Sequence, residues 1–295
     1  MPGILCAAES APEFMTALHE WQAEMARPGQ QAARDLPEDV RRILAIEPTE
    51  RDEAGATALA NYFRTHRHPA AAPAKDRVAA ARAARGEAVR ARFREAGIDY
   101  PSRGIFIRAF KHEAELELWA RGKDDTFRKV ATYAITAASG GPGPKRREGD
   151  GQVPEGCYAI NVFNPASRFH LSLGLNYPNE SDRVLADRAR PGGEIFIHGG
   201  AASIGCLPLG DAGIEEVYLI ALDARAAGQG AIPVHIFPAR MSGPAWKEFA
   251  QRESGAHPQL AAFWENLRRV HDAFENTHRL TRIDVAKDGG YRVHE

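Results

Sequence analysis

Ile195 to Asp211 read IFIHGGAASIGCLPLGD, and the parsing of this stretch decides what kind of domain surrounds it. Its start completes GEIFIH, a β-rich run that predicts a strand ending on His198. Gly199, Gly200, Ala201, Ala202 and Ser203 then predict a turn, because residues this small admit close backbone approach. Asp211 is a candidate N-cap for a helix through IEEVYLIALDA, with Glu215 and Glu216 near its positive end. Strand, turn and helix in succession point to a mixed α and β domain.

Outward from this stretch, the period of the sequence is two after Tyr100. GIFIRAF, AELELWA, FRKVATYAIT, GCYAINVF and RFHLSLGL carry alternating or β-rich apolar residues between Gly, Pro and Asn, and predict strands. In RFHLSLGL, Phe169, Leu171, Leu173 and Leu175 alternate with His170, Ser172 and Gly174, so one face is expected in the core and His170 on the other. IPVHIFP predicts a further strand and TRIDVAKDGGYRV a final hairpin. Leu260, Phe263, Leu267, Val270 and Phe274 predict a helix with a core-facing stripe.

The part before about Arg94 reads as helices, rich in Ala, Arg and Glu and broken at Pro37, Pro48, Pro69 and Pro73. HPAAAPAK, His68 to Lys75, predicts a linker, which divides the chain into a helical extension at 1–75 and a main domain at 76–295. The arginine-rich RVAAARAARGEAVRARFREAG is expected to present a solvated helix face rather than a site for an anionic polymer.

With 295 residues and a formal net charge of −1, the chain has room for a sizeable core and lacks the cationic excess of a nucleic-acid binder. No apolar run approaches the roughly 20 residues that a membrane-spanning helix requires. The opening MPGILCAAES has neither a basic n-region nor an apolar h-region, so no secretion signal is read there. Cys6, Cys157 and Cys206 are scattered, without a CxxC pair, which speaks against a disulfide framework and a structural zinc site.

His198 and Cys206 carry the chemistry of the opening stretch. A cysteine attacks carbonyl carbon as the thiolate, a free thiol ionises at about pH 8.5, and a nearby imidazole is the usual activator. A histidine at a strand end is rigidly held, and Gly205 lets the chain bend so that successive N–H groups can meet the oxyanion that attack creates. A small buried thiol and a satisfied core histidine fit the same spacing, which leaves both readings open.

The stretch resembles the signature of the L,D-transpeptidase catalytic domain family (YkuD type), in particular its YafK-like branch: HG, a short loop of small residues, then S-x-G-C. The wider family has S-H-G-C and a longer gap, whereas here Ile204 replaces the second histidine and the gap is compressed, as in that branch. YPSRGIFIRAFKHEAELELWA, GPGPKRREGDGQVPEGCYAINVFNPASRFHLSLGLNYPNESDR and GAIPVHIFPARMSGPAWKEF are similar to the same branch, so the resemblance covers roughly Glu87 to Val293.

The resemblance implies an α+β fold with a YkuD-type β-sandwich or barrel-like catalytic core and flanking helices; the helical N-terminal extension is not normal for the branch. It implies Cys206 as the acyl-accepting nucleophile, His198 as its base, the Gly199 carbonyl as the group that orients the imidazole, and the amides of Gly205 and Cys206 as oxyanion donors. Ser203 matches the family's Ser or Thr, bonding either within the loop or to substrate. Lys145, Tyr158, Asn179 and Arg183 are the matching candidates for substrate contact. Their ordinary alternatives are a solvated lysine, a packed tyrosine, turn chemistry shared with Asn161 and Asn164, and an Arg183–Asp182 pair. Lys111 and Glu117 are expected on a surface strand and Cys157 as a buried side chain.

The family uses no metal and no cofactor, which disfavours a zinc site made from His198, Cys206 and His170. The implied reaction is attack by Cys206 on the amide between an L-centre and a D-centre of a peptidoglycan stem peptide. An amine then converts the thioester into a cross-link, or water hydrolyses it. The alternatives are an L,D-amidase that detaches a wall-anchored protein or an amine from peptidoglycan and, from another class, a non-catalytic wall-binding module. That substrate lies outside the inner membrane, so a periplasmic or cell-envelope location is expected on this ground.

Overall fold

The computed structural model describes residues 12–27, 33, 36–66 and 74–294; Cys6, Pro69, Pro73 and the expected linker from 68 to 73 lie outside them. The chain divides into two compact units, residues 1–74 with 166–168 and residues 75–165 with 169–295. In the smaller unit, helices α1 (Pro12–Met25), α2 (Glu38–Leu44) and α3 (Glu53–His66) surround one apolar cluster. Leu18, Trp21 and Met25 lie on one face of α1 and meet Leu36, Val40, Leu59 and Phe63 there. Arg51 ties its segments together, donating to Gln22 Oε1 at 2.7 Å and to the Ile46 carbonyl at 2.9 Å.

The larger unit is built on one curled eight-stranded sheet, a half-barrel. Its strands are β1 (Ile105–Phe110), β2 (Glu115–Arg121), β3 (Phe127–Ala134), β4 (Gly156–Asn164), β5 (Ser172–Leu175), β6 (Phe196–His198), β7 (Leu207–Pro208) and β8 (Pro233–Phe237). Their order is β3-β2-β1-β8-β4-β5-β6-β7. β8 runs parallel to β1 and antiparallel to β4, so it joins the β1–β3 meander to the half that carries His198. Bulges at Leu118/Trp119 and Ile160/Val162 bend the strands. The curl brings the sheet's edges together: two residues beyond β3, the Thr136 N–H donates to the Pro208 carbonyl of β7 at 2.8 Å.

β1 is buried at every position because both faces are covered. Ile105, Ile107 and Ala109 face the cluster closed by α4 (Ala74–Glu95) and, beyond the short α5 (Glu180–Leu185), by α6 (Gly210–Ala226). Phe106 and Phe110 lie on the side of α7 (Gly243–Ala256), α8 (Gln259–Thr277) and the β9 (Ile283–Val285)–β10 (Tyr291–Val293) hairpin. α8 buries Leu260, Trp264, Leu267, Val270 and Phe274 as one stripe. Each such large apolar side chain contributes on the order of 2 kcal/mol.

Three expectations about the elements change. RFHLSLGL is not one half-buried strand: β5 begins at Ser172 and is buried on both faces between β4 and β6. His170 takes a left-handed φ of 70°, which turns the chain ahead of β5. The arginines of α4 are not merely solvated: Arg82, Arg85 and Arg92 pair with Asp223, Glu215 and Glu216 of α6 at 2.6, 2.9 and 2.8 Å. Lys111 and Glu117 are interior rather than on a surface strand. Lys111 Nζ donates to Glu155 at 2.9 Å and to the Gly143 and Val153 carbonyls. Glu117, 1% exposed, accepts from Arg108 Nε at 2.7 Å and Trp119 Nε1 at 2.8 Å and pairs with Arg240 at 3.0 Å. Among the described residues no helix is long and apolar enough to cross a membrane.

Candidate active site

His198 is the last residue of β6, paired with Ser172 of β5 and Pro208 of β7, so its backbone is fixed on both sides. Its Nδ1 lies 2.6 Å from the Gly199 carbonyl oxygen. A carbonyl can only accept, so in the neutral ring Nδ1 carries the hydrogen and Nε2 keeps a lone pair. Burial lowers the pKa of the imidazole from its usual value, against a smaller opposing effect of the Gly199 carbonyl, so the ring is a neutral base at pH 7. The Phe169 ring covers it, with centroids 4.6 Å apart.

Gly199 has to be glycine on grounds of space. A Cβ there would lie 2.6 Å from both the Phe169 carbonyl and Asp211 Oδ1. Asp211 does not cap α6 as expected: the helix begins at Gly210, and the carboxylate accepts from the Gly200 N–H at 2.9 Å, which braces the turn after His198.

Cys206 stands one residue before β7 and two before Pro208, the partner of His198, so thiol and imidazole come from neighbouring parallel strands. The thiol is half-buried and donates to the Glu194 carbonyl at 3.6 Å; it has no hydrogen bond to His198. Burial pushes its pKa up to about 11; the Phe196 backbone N–H opposes this, the Glu194 charge adds to it, and the Lys145 ammonium opposes it. In this resting arrangement the thiolate is therefore scarce at neutral pH. Alkylation of Cys206 by iodoacetamide, followed on its own peptide by mass spectrometry, is expected to rise about tenfold per pH unit to near pH 11. A plateau reached below pH 8 would mean that the imidazole already holds the thiol proton.

The amides expected to receive an oxyanion are engaged. The N–H groups of Gly205 and Cys206 donate to Ser203 Oγ at 3.2 and 3.0 Å, and Ser203 Oγ donates to the Cys206 carbonyl at 2.8 Å. Of its two roles, Ser203 thus takes the one within the loop, and it occupies the donors assigned to the transition state. Gly205 has φ of +132°, and an added Cβ would lie 3.0 Å from the Gln152 carbonyl, so this bend excludes other residues. Ile204 and Phe169 stand at the rim of the site, 74% and 42% exposed, whereas His198 beneath the Phe169 ring is buried.

The four candidates for substrate contact differ in how they are held. Lys145 is neither solvated nor free: it is 5% exposed, and Nζ donates to Asp150 and to the Arg147 carbonyl, both at 2.8 Å. Tyr158 is buried and donates to Asp182 at 3.0 Å, and Asn179 is the buried N-cap of α5 in a reciprocal capping box with Asp182. Arg183 does not pair with Asp182, whose carboxylate faces Arg146 Nη1 at 3.0 Å; it is exposed. Cys157 packs against the α8 cluster, and burial raises its thiol pKa. His170 Nε2 lies 2.9 Å from Glu215, and no group of three His, Cys, Asp or Glu side chains among the described residues could hold a metal ion.

Phe169 and Glu194 were not legible as parts of the site. Phe169 lies in a run that reads as a core strand, and Glu194 meets the thiol through its backbone carbonyl, which no residue type advertises, as well as through its charge. Ser139, whose Oγ lies 3.3 Å from Ser203 Oγ, carried no signal either.

The family model of the L,D-transpeptidase catalytic domain (YkuD) matches residues 104–236, from the start of β1 almost to the end of β8. YafK of Escherichia coli (strain K12), a protein that carries the name of an L,D-transpeptidase, is 32% identical over 191 residues, which span 64% of this chain and 73% of that protein. The crystal structure of the helical cell shape determining protein Pgp2 from Campylobacter jejuni is similar at 17% identity with a TM-score of 0.38, over 62% of this chain and 73% of that one. Bd1075 of Bdellovibrio bacteriovorus is similar at 19% identity with a TM-score of 0.30, over 47% of this chain and 48% of that one.

Proposed function

Because this chain belongs to the L,D-transpeptidase catalytic domain (YkuD) family, we propose that it is a cysteine-dependent acyltransferase acting on peptidoglycan stem peptides, with residues 76–295 as its catalytic domain. The observation that carries this reading is the imidazole of His198, whose Nδ1 is held by the Gly199 carbonyl so that Nε2 is left as a base on the strand beside Cys206.

The thiol turns off the Glu194 carbonyl and gives its proton to His198 Nε2. Sγ then bonds to the carbonyl carbon of the amide between an L-centre and a D-centre, and the π pair moves to the carbonyl oxygen. When that oxyanion collapses, the C–N bond breaks and the departing amine takes the proton from Nε2, which leaves a thioester on Cys206. An incoming amine attacks the thioester and gives its proton to His198, and the thiolate leaves and is reprotonated. The product is a new cross-link. The substrate places this work in the cell envelope.

Hydrolysis is the second reading, favoured by the partly exposed position of Cys206 beside the exposed Ile204, where water can meet the same thioester. Detachment of a wall-anchored protein would be one form of it. Mass spectrometry of the full chain incubated with purified tetrapeptide-bearing muropeptides tests both readings. A Cys206 thioester with cross-linked products supports transfer, and a thioester with trimmed products supports hydrolysis. Unchanged peptides that nevertheless bind would replace both with a non-catalytic wall-binding module.

A further inference from the structure

Ser203 Oγ has more neighbours than a hydroxyl can serve. It accepts from two backbone amides at 3.2 and 3.0 Å, donates its only proton to the Cys206 carbonyl at 2.8 Å, and still has Ser139 Oγ 3.3 Å away. A hydroxyl has one proton and two lone pairs. Ser139 must therefore be the donor in that contact, competing with two amides for lone pairs already in use. Its bond strengthens only when an amide leaves.

Two N–H groups converging on one oxygen at about 3 Å is also what a developing oxyanion requires. Ser139 is well placed to outlast a change in the loop. Its segment is fastened by Thr136, whose N–H donates to the Pro208 carbonyl at 2.8 Å and whose hydroxyl donates to the Gly200 carbonyl at 3.2 Å. Both ends of the loop are thus tied to the segment that follows β3 and carries Ser139.

We propose that Ser139 is a positioning residue for acyl transfer: it receives the Ser203 hydroxyl when the substrate oxyanion replaces that hydroxyl between the amides of Gly205 and Cys206. This rests on the reading of Cys206 as the acyl nucleophile. As the Sγ–C bond forms, the carbonyl π pair becomes the charge that draws both amides, and Ser203 gives up two donors at once. With Ser139 present the displaced oxygen keeps a donor; without it, the exchange leaves that oxygen with no protein donor.

The test separates two reactions of one thiol. Iodoacetamide alkylates Cys206 without forming an oxyanion, whereas p-nitrophenyl acetate acylates it through one. Both rates are read on the Cys206 peptide of the full chain by mass spectrometry. Ser139→Ala is expected to lower the ratio of acylation to alkylation about tenfold, with Ser139→Thr within about threefold of the unmodified protein. In a Ser203→Ala background, Ser139→Ala should change the ratio no further, because the hydroxyl to be received is gone. An unchanged ratio in Ser139→Ala, or a fall of equal size in both backgrounds, overturns the proposal. If the unmodified protein is alkylated but never acylated at Cys206, the reading of Cys206 as acyl nucleophile fails first, and the proposal with it.

Discussion

Cys206→Ala is expected to leave a folded protein that forms no thioester and turns over stem peptide at least about a thousandfold more slowly. The fold should survive because the thiol is half-buried and its hydrogen bond to the Glu194 carbonyl is long, so its removal costs about 1 kcal/mol or less. The chemistry should not survive, because no other described residue can take over the attack. Cys157 packs against the α8 cluster, with burial holding its thiol protonated, and Ser203 gives its proton to a backbone carbonyl within its own loop. The comparison is between intact protein mass after incubation with muropeptides and thermal unfolding of the same two samples. Turnover retained in the alanine variant would end the assignment of the nucleophile. A large fall in unfolding temperature would instead give Cys206 a structural role.

Glu117→Ala is expected to destabilise the larger unit by about 3 to 5 kcal/mol, with a correspondingly lower denaturant midpoint. Its carboxylate is the common partner of Arg108, itself 4% exposed in its side chain, and of Arg240 and the Trp119 indole. Removing it strands the Arg108 guanidinium among Phe110, Trp119 and Phe274, with only Glu275 at 2.6 Å, an ion pair that lacks hydrogen-bond geometry. The pH dependence follows from the same contacts. Burial works to raise the pKa of Glu117, but Arg108, the Trp119 N–H and Arg240 outweigh it and hold the group down at about 2 rather than 4.5. A depressed carboxylate pKa contributes stability that is complete above the unfolded value and is lost as the pH falls from about 4.5 towards 2. Glu117→Gln should lack this acid-dependent loss. A midpoint for Glu117→Ala equal to that of the unmodified protein would show that the cluster is dispensable.

Much of this architecture could be read from residues, for physical reasons that differ by element. The strands were legible because apolar periodicity changes at Tyr100 and Gly, Pro and Asn close each run. The reading failed at RFHLSLGL because alternation reports which side chains share a face, not whether the opposite face is also covered. For Asp182, the adjacent Arg183 looked like the natural partner, yet neighbouring residues on a helix point to different sides. The carboxylate faces inward to Arg146 and Tyr158, and Arg183 faces out. In the site, the small residues between His198 and Cys206 announced a tight loop, and the close approach at Gly199 and the bend at Gly205 account for two of them. What could not be read was which partners the loop's own backbone chooses. The Glu194 carbonyl on the thiol and the two amides on Ser203 involve groups that every residue possesses, so only the folded path selects among them.

The insertion of β8 beside β1 has a consequence for biosynthesis. Their partners, such as Ile107 and Val234, are separated by more than a hundred residues, and β4 reaches the first meander only through β8. During translation the ribosome therefore releases two unfinished sheet fragments well before the strand that stitches them together. Pairings this distant in sequence form late and slowly. A nascent chain stopped ahead of Pro233 would already contain both His198 and Cys206, but no finished scaffold to support them, so reactivity should arise only after β8 has been made.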